Sequence, residues 1–456
     1  MNLHDIAFWI CAFFLLGVFL ISILNNFLIV LIIVLLASLY LIFLKNYQQA
    51  ILILLVISGA GYYQAFGYFQ EQINIPFDFK SEFTGIIVKL NQSATKQELV
   101  LKLQEPHSGK IKINSPPYPS FQYGDLVRVS GAVKRPFPES LNYFKKEGIS
   151  GILNLPKIEF LESGRGNKVK SALLNLKMRI IGVFKENLPA QKAAFLAGIT
   201  LGERQEFSKE FDEKLSLSGT THIVALSGYN ISVIGMTMAF IFGNWFSRSA
   251  TFYLSSSVIV LFVLMTGAEA SIVRAAIMGV ILLLAEETER IFSVRNAIII
   301  AAFLMALSNP RLLVFDLGFQ LSFMALLGLV YLLPVLKKIF KMEDPGFWNW
   351  KENSLTTISA QLAVAPFLLG NFGIFSLTSL FANILILSAI PITMGLGFLM
   401  GGLGLFSQYL AQIIGLAVNF LLSYELLVID IFSKITLPIA TESFGFFAAT
   451  VYYALL

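Results

Sequence analysis

A serine and a histidine interrupt an apolar stretch in the second half of the chain, within "SGTTHIVALSGYNISVIG", residues 218–235. His222 and Ser227 are residue types that form nucleophile–base pairs in enzymes. On one helix, however, two residues five apart point about 140° away from each other, at 3.6 residues per turn. No third residue that could orient the histidine is evident nearby. The pattern therefore argues against a catalytic pair, and we expect no catalytic residues.

Ser227, Gly228 and Asn230 place small and polar groups where a helix in lipid would gain nothing from them. One interpretation is a broken helix beside a water-filled path, because non-helical backbone at membrane depth is tolerated where it lines a cavity. The other is a close helix crossing, which small residues permit. The residues alone leave both open, and we expect His222 near the outer mouth of such a path.

Arg274 lies within the apolar segment "GAEASIVRAAIMGVILLLA". A charge inside a bilayer is costly and usually faces a protein interior or an aqueous cavity. A functional arginine would line a polar path and could pair with Glu269 or Asp316. Alternatively, Arg274 is close enough to the membrane interface for its charged end to reach water.

Further polar groups occur at the heads and centres of later apolar segments. Each could simply hydrogen-bond between helices, but together they favour a polar interior, a pore or cavity. The candidates are Asp316, Gln320, Gln361 and Asn383.

The sequence indicates no metal or cofactor. Three scattered histidines make a zinc site improbable. The phosphate-binding pattern GxxxxGK[ST] is absent, so any ATP-driven pulling would belong to a partner.

The composition excludes a water-soluble protein, since 56% of the residues are hydrophobic and 13% are charged. Soluble domains carry roughly a quarter charged residues. Apolar runs of about 20 residues, long enough to span a bilayer, recur along the chain. A segment of alternating polar and apolar residues, with Pro- and Gly-rich turns, predicts strands between them. The expected fold is a polytopic α-helical membrane protein with an inserted small all-β, OB-like domain.

We predict four domains. They are three N-terminal transmembrane helices at 1–69, an OB-like β domain at 70–171, amphipathic or interfacial helices at 172–219, and a polytopic membrane domain at 220–456.

The basic residues of the short loops predict the orientation. With the N-terminus in the cytoplasm, Lys45, Arg248, Arg290 and the Lys337–Lys341 cluster fall inside, as positive-inside topology requires. Only Arg311 falls on the wrong side. This orientation makes the β domain extracytoplasmic.

Several of these segments resemble the ComEC competence protein family. "LAGITLGERQEFSKEFDEKLSLSGTTHIVALSGYNISVIG" is similar to the family signature, as are "TGAEASIVRAAIM", "FQLSFMALLGL" and "AQLAVAPFLLGNFGIFSLTSLFANILIL". The family usually has a histidine two residues after the serine-glycine pair, where this chain has Asn230. Many members also carry a metallo-β-lactamase-like domain, whose HxHxDH motif this sequence lacks. The resemblance therefore implies no nuclease activity for these residues.

The resemblance implies a channel that carries single-stranded DNA across the cytoplasmic membrane during natural transformation. It also implies partners: membrane lipid, a DNA receptor, a separate nuclease and a cytoplasmic ATP-driven translocase. OB folds commonly bind single strands through basic grooves and stacked aromatics. Candidate DNA contacts in the β domain are Phe121, Tyr123, Arg128, Lys134 and Arg135.

Two alternatives stay open. The β-domain candidates could be ordinary surface charges and core aromatics of a structural domain. The whole chain could be a secondary transporter of a small polar or anionic solute, with the "SGYN" segment as a broken-helix site. Such transporters carry inverted repeats, and no convincing repeat is visible here.

Overall fold

The computed structural model describes residues 3–70, 74–93, 96–137, 141–226, 228–341, 350–372, 374–376, 378–435, 438–440 and 445–455. Within these ranges the chain forms two compact units. The first comprises Met1–Ala172 and Val280–Gln320, and the second comprises Leu173–Gly279 and Leu321–Leu456.

The N-terminal part of the first unit consists of four apolar helices. They are α1 (Leu3–Leu24), α2 (Phe27–Phe43), α3 (Tyr47–Ile53) and α4 (Leu55–Gln70). On α2, Val30, Val34 and Ser38 are buried, whereas Leu36 and Leu39 on the opposite side are 63% and 65% exposed. An apolar helix that leaves large apolar side chains uncovered by protein is suited to a lipid surround.

A six-stranded sheet follows these helices. Its strands are β1 (Lys80–Gln92), β2 (Gln97–Leu103), β3 (Lys110–Ser115), β4 (Leu126–Ala132), β5 (Gly151–Asn154) and β6 (Lys157–Glu162), with helix α5 (Leu141–Glu147) before β5. The order across the sheet is β5-β3-β2-β1-β4-β6. Every pair is antiparallel except β3 with β5, which is parallel.

Alternation along the strands builds the core of this sheet. In β3, Ile111, Ile113 and Ser115 are buried, and the residues between them are half-buried. The inward side chains form one apolar cluster with Phe83, Ile87 and Leu99, all fully buried. A period of two is what places alternate side chains on opposite faces of a strand.

The helices from α6 to α12 lie mostly in the second unit, which begins within α6 and is interrupted within α12. Along the chain come α6 (Lys168–Asn187), α7 (Ala190–Leu201), α8 (Lys209–Leu217), α9 (Thr221–Val224), α10 (Gly228–Gly243), α11 (Arg248–Thr266) and α12 (Ala270–Glu287). Two helices that belong to the first unit follow, α13 (Val294–Ser308) and α14 (Leu312–Phe315).

The remaining elements run to the C-terminus. They are α15 (Leu317–Leu327), a π-helical turn (Gly328–Leu332), α16 (Leu333–Phe340), α17 (Trp350–Phe372), β7 (Ile374–Ser376), α18 (Ser379–Ile386), α19 (Ile390–Gly404), α20 (Gln408–Lys434), β8 (Pro438–Ala440) and α21 (Phe446–Leu455).

Five helical segments of the described chain are long and apolar enough to cross a membrane. They are Asp5–Leu24, Tyr47–Phe69, Arg248–Thr266, Leu317–Phe340 and Gln408–Lys434. The pair α18 and α19, bent by 50° at its break, forms either a broken sixth span or a re-entrant loop. The chain is therefore a mostly helical, multi-pass membrane protein, as the composition predicts.

Helix α20 is continuous, whereas an interruption separates α18 from α19. Pro391 at the start of α19 supplies the reason. Proline has no N–H and clashes with the carbonyl four residues earlier, so a helix cannot run through it unperturbed.

Candidate functional site

The polar segment around residues 218–230 does not form one helix in the second unit. Helix α9 ends at Val224, Ala225 is extended with φ −73° and ψ 120°, and α10 begins at Gly228. Ser227 lies outside the described residues. The interruption leaves backbone carbonyls without helical partners, and such groups need other donors at membrane depth.

Side chains from two other elements supply those donors. Arg204 Nε donates to the carbonyl oxygen of Val224 at 3.2 Å. Ser271 Oγ, near the start of α12, donates to the carbonyl oxygen of Leu226 at 2.7 Å. Both acceptor residues are 1% exposed. The interruption is therefore a stable, satisfied structure, held between the end of α7 and the beginning of α12.

Two further contacts join the end of α7 to the same segment. Gly202 ends the helix with a positive φ of 69°, and a Cβ there would lie 2.5 Å from Leu226 Cδ1. Asn230, 4% exposed, donates from Nδ2 to the carbonyl oxygen of Ile199 at 2.9 Å. Asn230 thus joins α10 to α7. We refer to Gly202, Arg204, Val224, Leu226, Asn230 and Ser271 as the junction.

A second glycine fixes the approach to α9. Gly219 has φ 68°, and a Cβ there would lie 2.2 Å from Ser379 Cβ at the start of α18. Ser379 Oγ in turn accepts a hydrogen bond from Gln361 Nε2 of α17 at 2.7 Å. Gln361, predicted to line a channel, thus connects α17 to α18.

Charged residues also support the junction from outside. Glu203 Oε2 lies 2.9 Å from Lys177 Nζ of α6, and the two side chains are 17% and 10% exposed. Sequence reasoning used Glu203 and Arg204 only as family markers and missed their structural roles. Their position directly after Gly202, which ends α7, is the local signal that could have found them.

Two of the predicted residues lie on either side of the interruption. His222, on α9, has an exposed side chain. Gly228 opens α10 and faces α12, where a Cβ would lie 3.6 Å from Ala275 Cβ. An added Cβ at 228 would therefore make an ordinary van der Waals contact with α12. The helix is interrupted at this segment, and whether the interruption borders a water-filled path stays a prediction.

Arg274 lies three residues beyond Ser271 on α12. Its Nη1 donates to the carbonyl oxygen of Ser322, and the guanidinium carbon lies 5.6 Å from the centre of the Phe323 ring. Its Nε is buried without a hydrogen-bond partner among the described residues. Asp316, one of the two partners suggested for Arg274, is bound to Lys146 instead, at 2.7 Å. Among the described residues, the groups that Arg274 contacts, the Ser322 carbonyl and the Phe323 ring, carry no formal charge.

Asp316 and Gln320 have local roles in the first unit. Asp316 Oδ1 accepts from the backbone N–H of Phe319 at 2.8 Å and caps the start of α15. Gln320 Nε2 donates to the carbonyl oxygens of Val314 and Leu313, at 2.8 and 3.3 Å. Both side chains satisfy the ends of helices, which explains their polarity without a pore.

Asn383 differs from Asp316 and Gln320 because part of its polar side chain is buried without a partner. It lies on α18 and is 1% exposed, and its Oδ1 has no hydrogen-bond partner among the described residues.

Sequence reasoning missed a comparable residue, Glu425 of α20, which is fully buried. A carboxylate within an otherwise apolar span was the available signal.

The β-sheet candidates separate into buried and exposed groups. Phe121 is 4% exposed and part of the core, so a base could not stack on it without opening the sheet. The Tyr123 hydroxyl accepts from the backbone N–H of Asn167 at 3.3 Å, and Lys170 lies over its ring. Arg128, Lys134 and Arg135 are exposed.

Two of the exposed cations already have neighbours. Arg128 Nη1 lies 3.4 Å from Glu159 Oε2, and Arg135 lies over the Phe77 ring at 5.2 Å. In the part of the chain that the structure describes, no three His, Cys, Asp or Glu residues are grouped so as to hold a metal ion.

Comparison with known proteins places these features in a family. The family described as Competence protein matches residues 199–456, which include the whole junction and Arg274. The chain is also 27% identical over 217 residues to ComE operon protein 3 of Bacillus subtilis (strain 168). That match covers 47% of this chain but only 27% of the relative's length. No solved structure matches the chain. The chain belongs to the Competence protein family, whose model matches it from the end of α7 to residue 456.

Proposed function

We propose that this chain is a DNA-uptake channel, which carries single-stranded DNA across the cytoplasmic membrane during natural transformation. The observation that carries the proposal is the family match over residues 199–456. The relative's name, ComE operon protein 3, is consistent with a role in competence. Two structural features add a physical basis. They are the charge of Arg274 and the nearby helix interruption, where side chains donate hydrogen bonds to the free backbone carbonyls.

A translocated polyanion requires a hydrated path with weak, repeated positive contacts. Arg274 suits this task because its partners, the Ser322 carbonyl and the Phe323 ring, carry no formal charge. A paired arginine would offer a phosphate little net attraction, whereas an unpaired one in a poorly solvated site attracts it strongly. His222, Ser227, Gly228, Asn230, Gln361 and Asn383 are proposed to support or line this path.

The β sheet supports an OB-like domain within the proposal. Strands β1 to β5 follow the order β5-β3-β2-β1-β4 with β3 and β5 parallel. An isolated antiparallel bridge between Lys134 and Ile152 brings the chain after β4 to β5, which partly closes the sheet. OB folds are five-stranded, partly open barrels that bind oligonucleotides.

The exposed groups of the sheet suit contacts with a single strand. Cations at Arg128, Lys134 and Arg135 could contact phosphates, and the proposal keeps them as candidates. Tyr118 and Phe160, 81% and 54% exposed, offer the open aromatic surface that Phe121 lacks. Base stacking on such rings is tolerant of sequence.

Contacts within the first unit support an extracytoplasmic sheet. Asn309 Nδ2 donates to the carbonyl oxygen of Lys146 at 3.0 Å, and Arg311 Nη1 donates to that of Lys145 at 3.4 Å. The loop that holds Arg311 therefore lies on the same side as the sheet. Arg311 is the single exception to the positive-inside pattern, and its use in binding the sheet's helix α5 explains that exception.

Other components follow from the chemistry of the proposal. A channel chain without a nucleotide-binding motif requires a separate ATP-driven translocase. Degradation of one strand and capture of duplex DNA would fall to a nuclease and a receptor. The four-domain division of the chain belongs to the same proposal.

Transformation of a host that carries this gene tests the function. We expect Arg274→Gln to reduce DNA uptake about a hundredfold, which corresponds to about 2.7 kcal/mol, and Arg274→Lys to retain part of it. Arg290→Gln is the matched control, because Arg290 has an exposed side chain; it should leave uptake unchanged. Membrane insertion of each variant is measured in parallel.

The possible failures are distinguishable. Normal uptake by Arg274→Gln would remove Arg274 from the path and leave the channel intact. Normal transformation by a host from which the whole gene is deleted would overturn the DNA function itself.

A further inference from the structure

One end of the six-stranded sheet is held against membrane-spanning helices of its own unit. Lys146 of helix α5 pairs with Asp316, directly before a span that begins at Leu317. Arg311 donates to the same helix at 3.4 Å, and its Nη2 would lie 3.7 Å from a Cβ at Gly67, near the end of another span. The ends of spans mark the boundary of the hydrocarbon layer, so α5 lies at that boundary.

The strand directions show which residues share this end of the sheet. Strands β1, β3 and β5 begin at the same end, because β2 lies antiparallel between β1 and β3, and β5 is parallel to β3. Helix α5 leads directly into β5. Lys134, just after β4, exchanges two backbone hydrogen bonds with Ile152 of β5, both at 2.8 Å, and Lys80 opens β1 opposite the last residue of β4. Residues 77–80 and 132–135 therefore lie at the end of the sheet that α5 joins to the spans.

This end of the sheet carries an exposed aromatic ring among cations. Phe79 is 72% exposed, and Lys80, Lys134 and Arg135 are exposed in the same two segments. Against these three cations the two segments contain one acidic residue, Asp78. We refer to Phe79, Lys80, Lys134 and Arg135 as the end patch. It combines an apolar group with a net positive charge.

The span that leads into the sheet also ends in aromatic residues. Tyr68 and Phe69 are 72% and 76% exposed at the end of α4, and aromatic residues are typical of the lipid–water interface. Asn74, five residues beyond Phe69, bonds to Ser108 at the end of the sheet that carries the patch. Five residues span at most about 18 Å. The connection therefore keeps this end of the sheet close to the lipid headgroups.

A bilayer surface matches both components of the end patch. Aromatic side chains of surface-bound segments insert at the boundary of headgroups and acyl chains, and basic residues are attracted to anionic lipids. Lys134 and Arg135 are also candidates for contacts with DNA phosphates. Their position at the end that α5 fixes to two spans favours the phosphates of lipid.

We propose that the end patch rests on the bilayer surface, with Phe79 inserted among the headgroups and Lys80, Lys134 and Arg135 bound to anionic phospholipids. The patch and helix α5 then fix the orientation of the sheet relative to the membrane at two points. The proposal goes beyond the channel function and is the same for either side of the membrane. Its tests use the purified full chain in lipid vesicles without DNA.

Fluorescence quenching by lipids tests the depth of Phe79. Cys11 is the only cysteine, so Phe79→Cys in a Cys11→Ser background accepts one thiol-reactive fluorophore, whose ring replaces the phenyl ring. Lipids with a nitroxide near the headgroup should quench most of its fluorescence. Tyr118→Cys is the matched control, because Tyr118 is 81% exposed and lies just after β3, at the opposite end of the sheet; its fluorophore should be unaffected. Equal quenching at the two positions would overturn the proposal.

A comparison of anionic and zwitterionic quenchers tests the cations. At equal mole fraction, nitroxide-labelled phosphatidylglycerol should quench the fluorophore at position 79 about fivefold more effectively than labelled phosphatidylcholine, because one cation near an anionic lipid surface shifts an equilibrium by about that factor. Replacement of all three patch cations by glutamine should remove this preference. The matched control replaces three exposed cations near the opposite end of the sheet by glutamine and should keep the preference. These cations are Lys96, Arg165 and Lys168.

Two results would overturn the binding of headgroups. One is equal quenching by the two lipids when the patch cations are intact, and the other is a preference that survives their replacement. The substituted side chains of the sheet are all exposed, so circular dichroism should show the same fold in every variant.

Discussion

The two units differ in how particular buried charged groups are compensated. In the first unit, Asp316, whose side chain is 5% exposed, is paired with Lys146 at 2.7 Å, and the more exposed Asp5 is paired with Arg295 at the same distance. In the second unit, Arg274 and Glu425 lie in apolar surroundings without an opposite charge among the described residues. Paired charges hold elements together, whereas an unpaired buried charge or acid is costly.

The second unit also contains charge pairs. Lys177 with Glu203, and Lys214 with Asp430, join helix ends and amphipathic helices. Its irregular backbone relies instead on close packing and on side chains that donate to carbonyls.

The largest effect is expected at Gly219 in the second unit. Gly219→Ala should lower the free energy of unfolding by about 3 kcal/mol, because a side chain at φ 68° is strained and its Cβ would overlap Ser379. Thermal unfolding of the full chain in detergent measures this loss. Gly182→Ala is the control, since no atom lies within 4 Å of the added Cβ; it should be neutral or stabilising. A neutral Gly219→Ala would show that packing does not hold this segment.

The next effect concerns the Asp316–Lys146 pair in the first unit. Lys146→Ala should lower the free energy of unfolding by about 3 kcal/mol, because it leaves the Asp316 side chain, which is 5% exposed, without its partner. Asp316→Asn should cost less, since asparagine keeps the cap on Phe319. A double-mutant cycle with Asp316→Asn and Lys146→Ala measures the coupling of the two charges. Additive effects would refute the claim that charge pairing fastens this unit.

The smallest effect is expected at Glu98 on the sheet. Burial raises the pKa of this carboxyl group, but hydrogen bonds from Lys112 and Lys96 outweigh it and hold the pKa below its ordinary value. A lowered pKa adds stability above the unfolded pKa of about 4.3, and this stability is lost as the pH falls through the folded pKa.

Glu98→Gln should therefore lower the free energy of unfolding at neutral pH by less than about 1 kcal/mol, and the difference should vanish in acid. Glu82→Gln is the control, because Glu82 is exposed on the same sheet. Denaturation at several pH values and salt concentrations measures both. A Glu98 effect that persists in acid would show that it does not come from its charge.

The structural features that could be predicted from the sequence all follow from local residue patterns. The alternation in "GKIKIN" predicts the strand that the structure has as β3, and the excess of apolar residues predicts the membrane helices. Gly228 and Ser227 indicate an interruption, which the structure has before α10. Each of these features depends on residues within a few positions of one another, so a single sequence contains the necessary information.

Partners distant in sequence were not predictable. Asp316, one of two partners suggested for Arg274, binds Lys146, 170 residues earlier. Phe121 was a candidate DNA contact with a core position left open as the alternative, and it lies in the core. Thr393 and Glu425 meet across 32 residues. Such pairs depend on how helices and strands pack, which periodicity does not specify.

The sequence by itself thus determined a membrane-embedded chain with an inserted sheet, because solvation in lipid and strand alternation act on each segment separately. It also determined membership of the Competence protein family. Only the tertiary structure decided which buried polar groups are neutralised and which remain unpaired, because a charge is compensated by whatever the fold brings within a few ångströms.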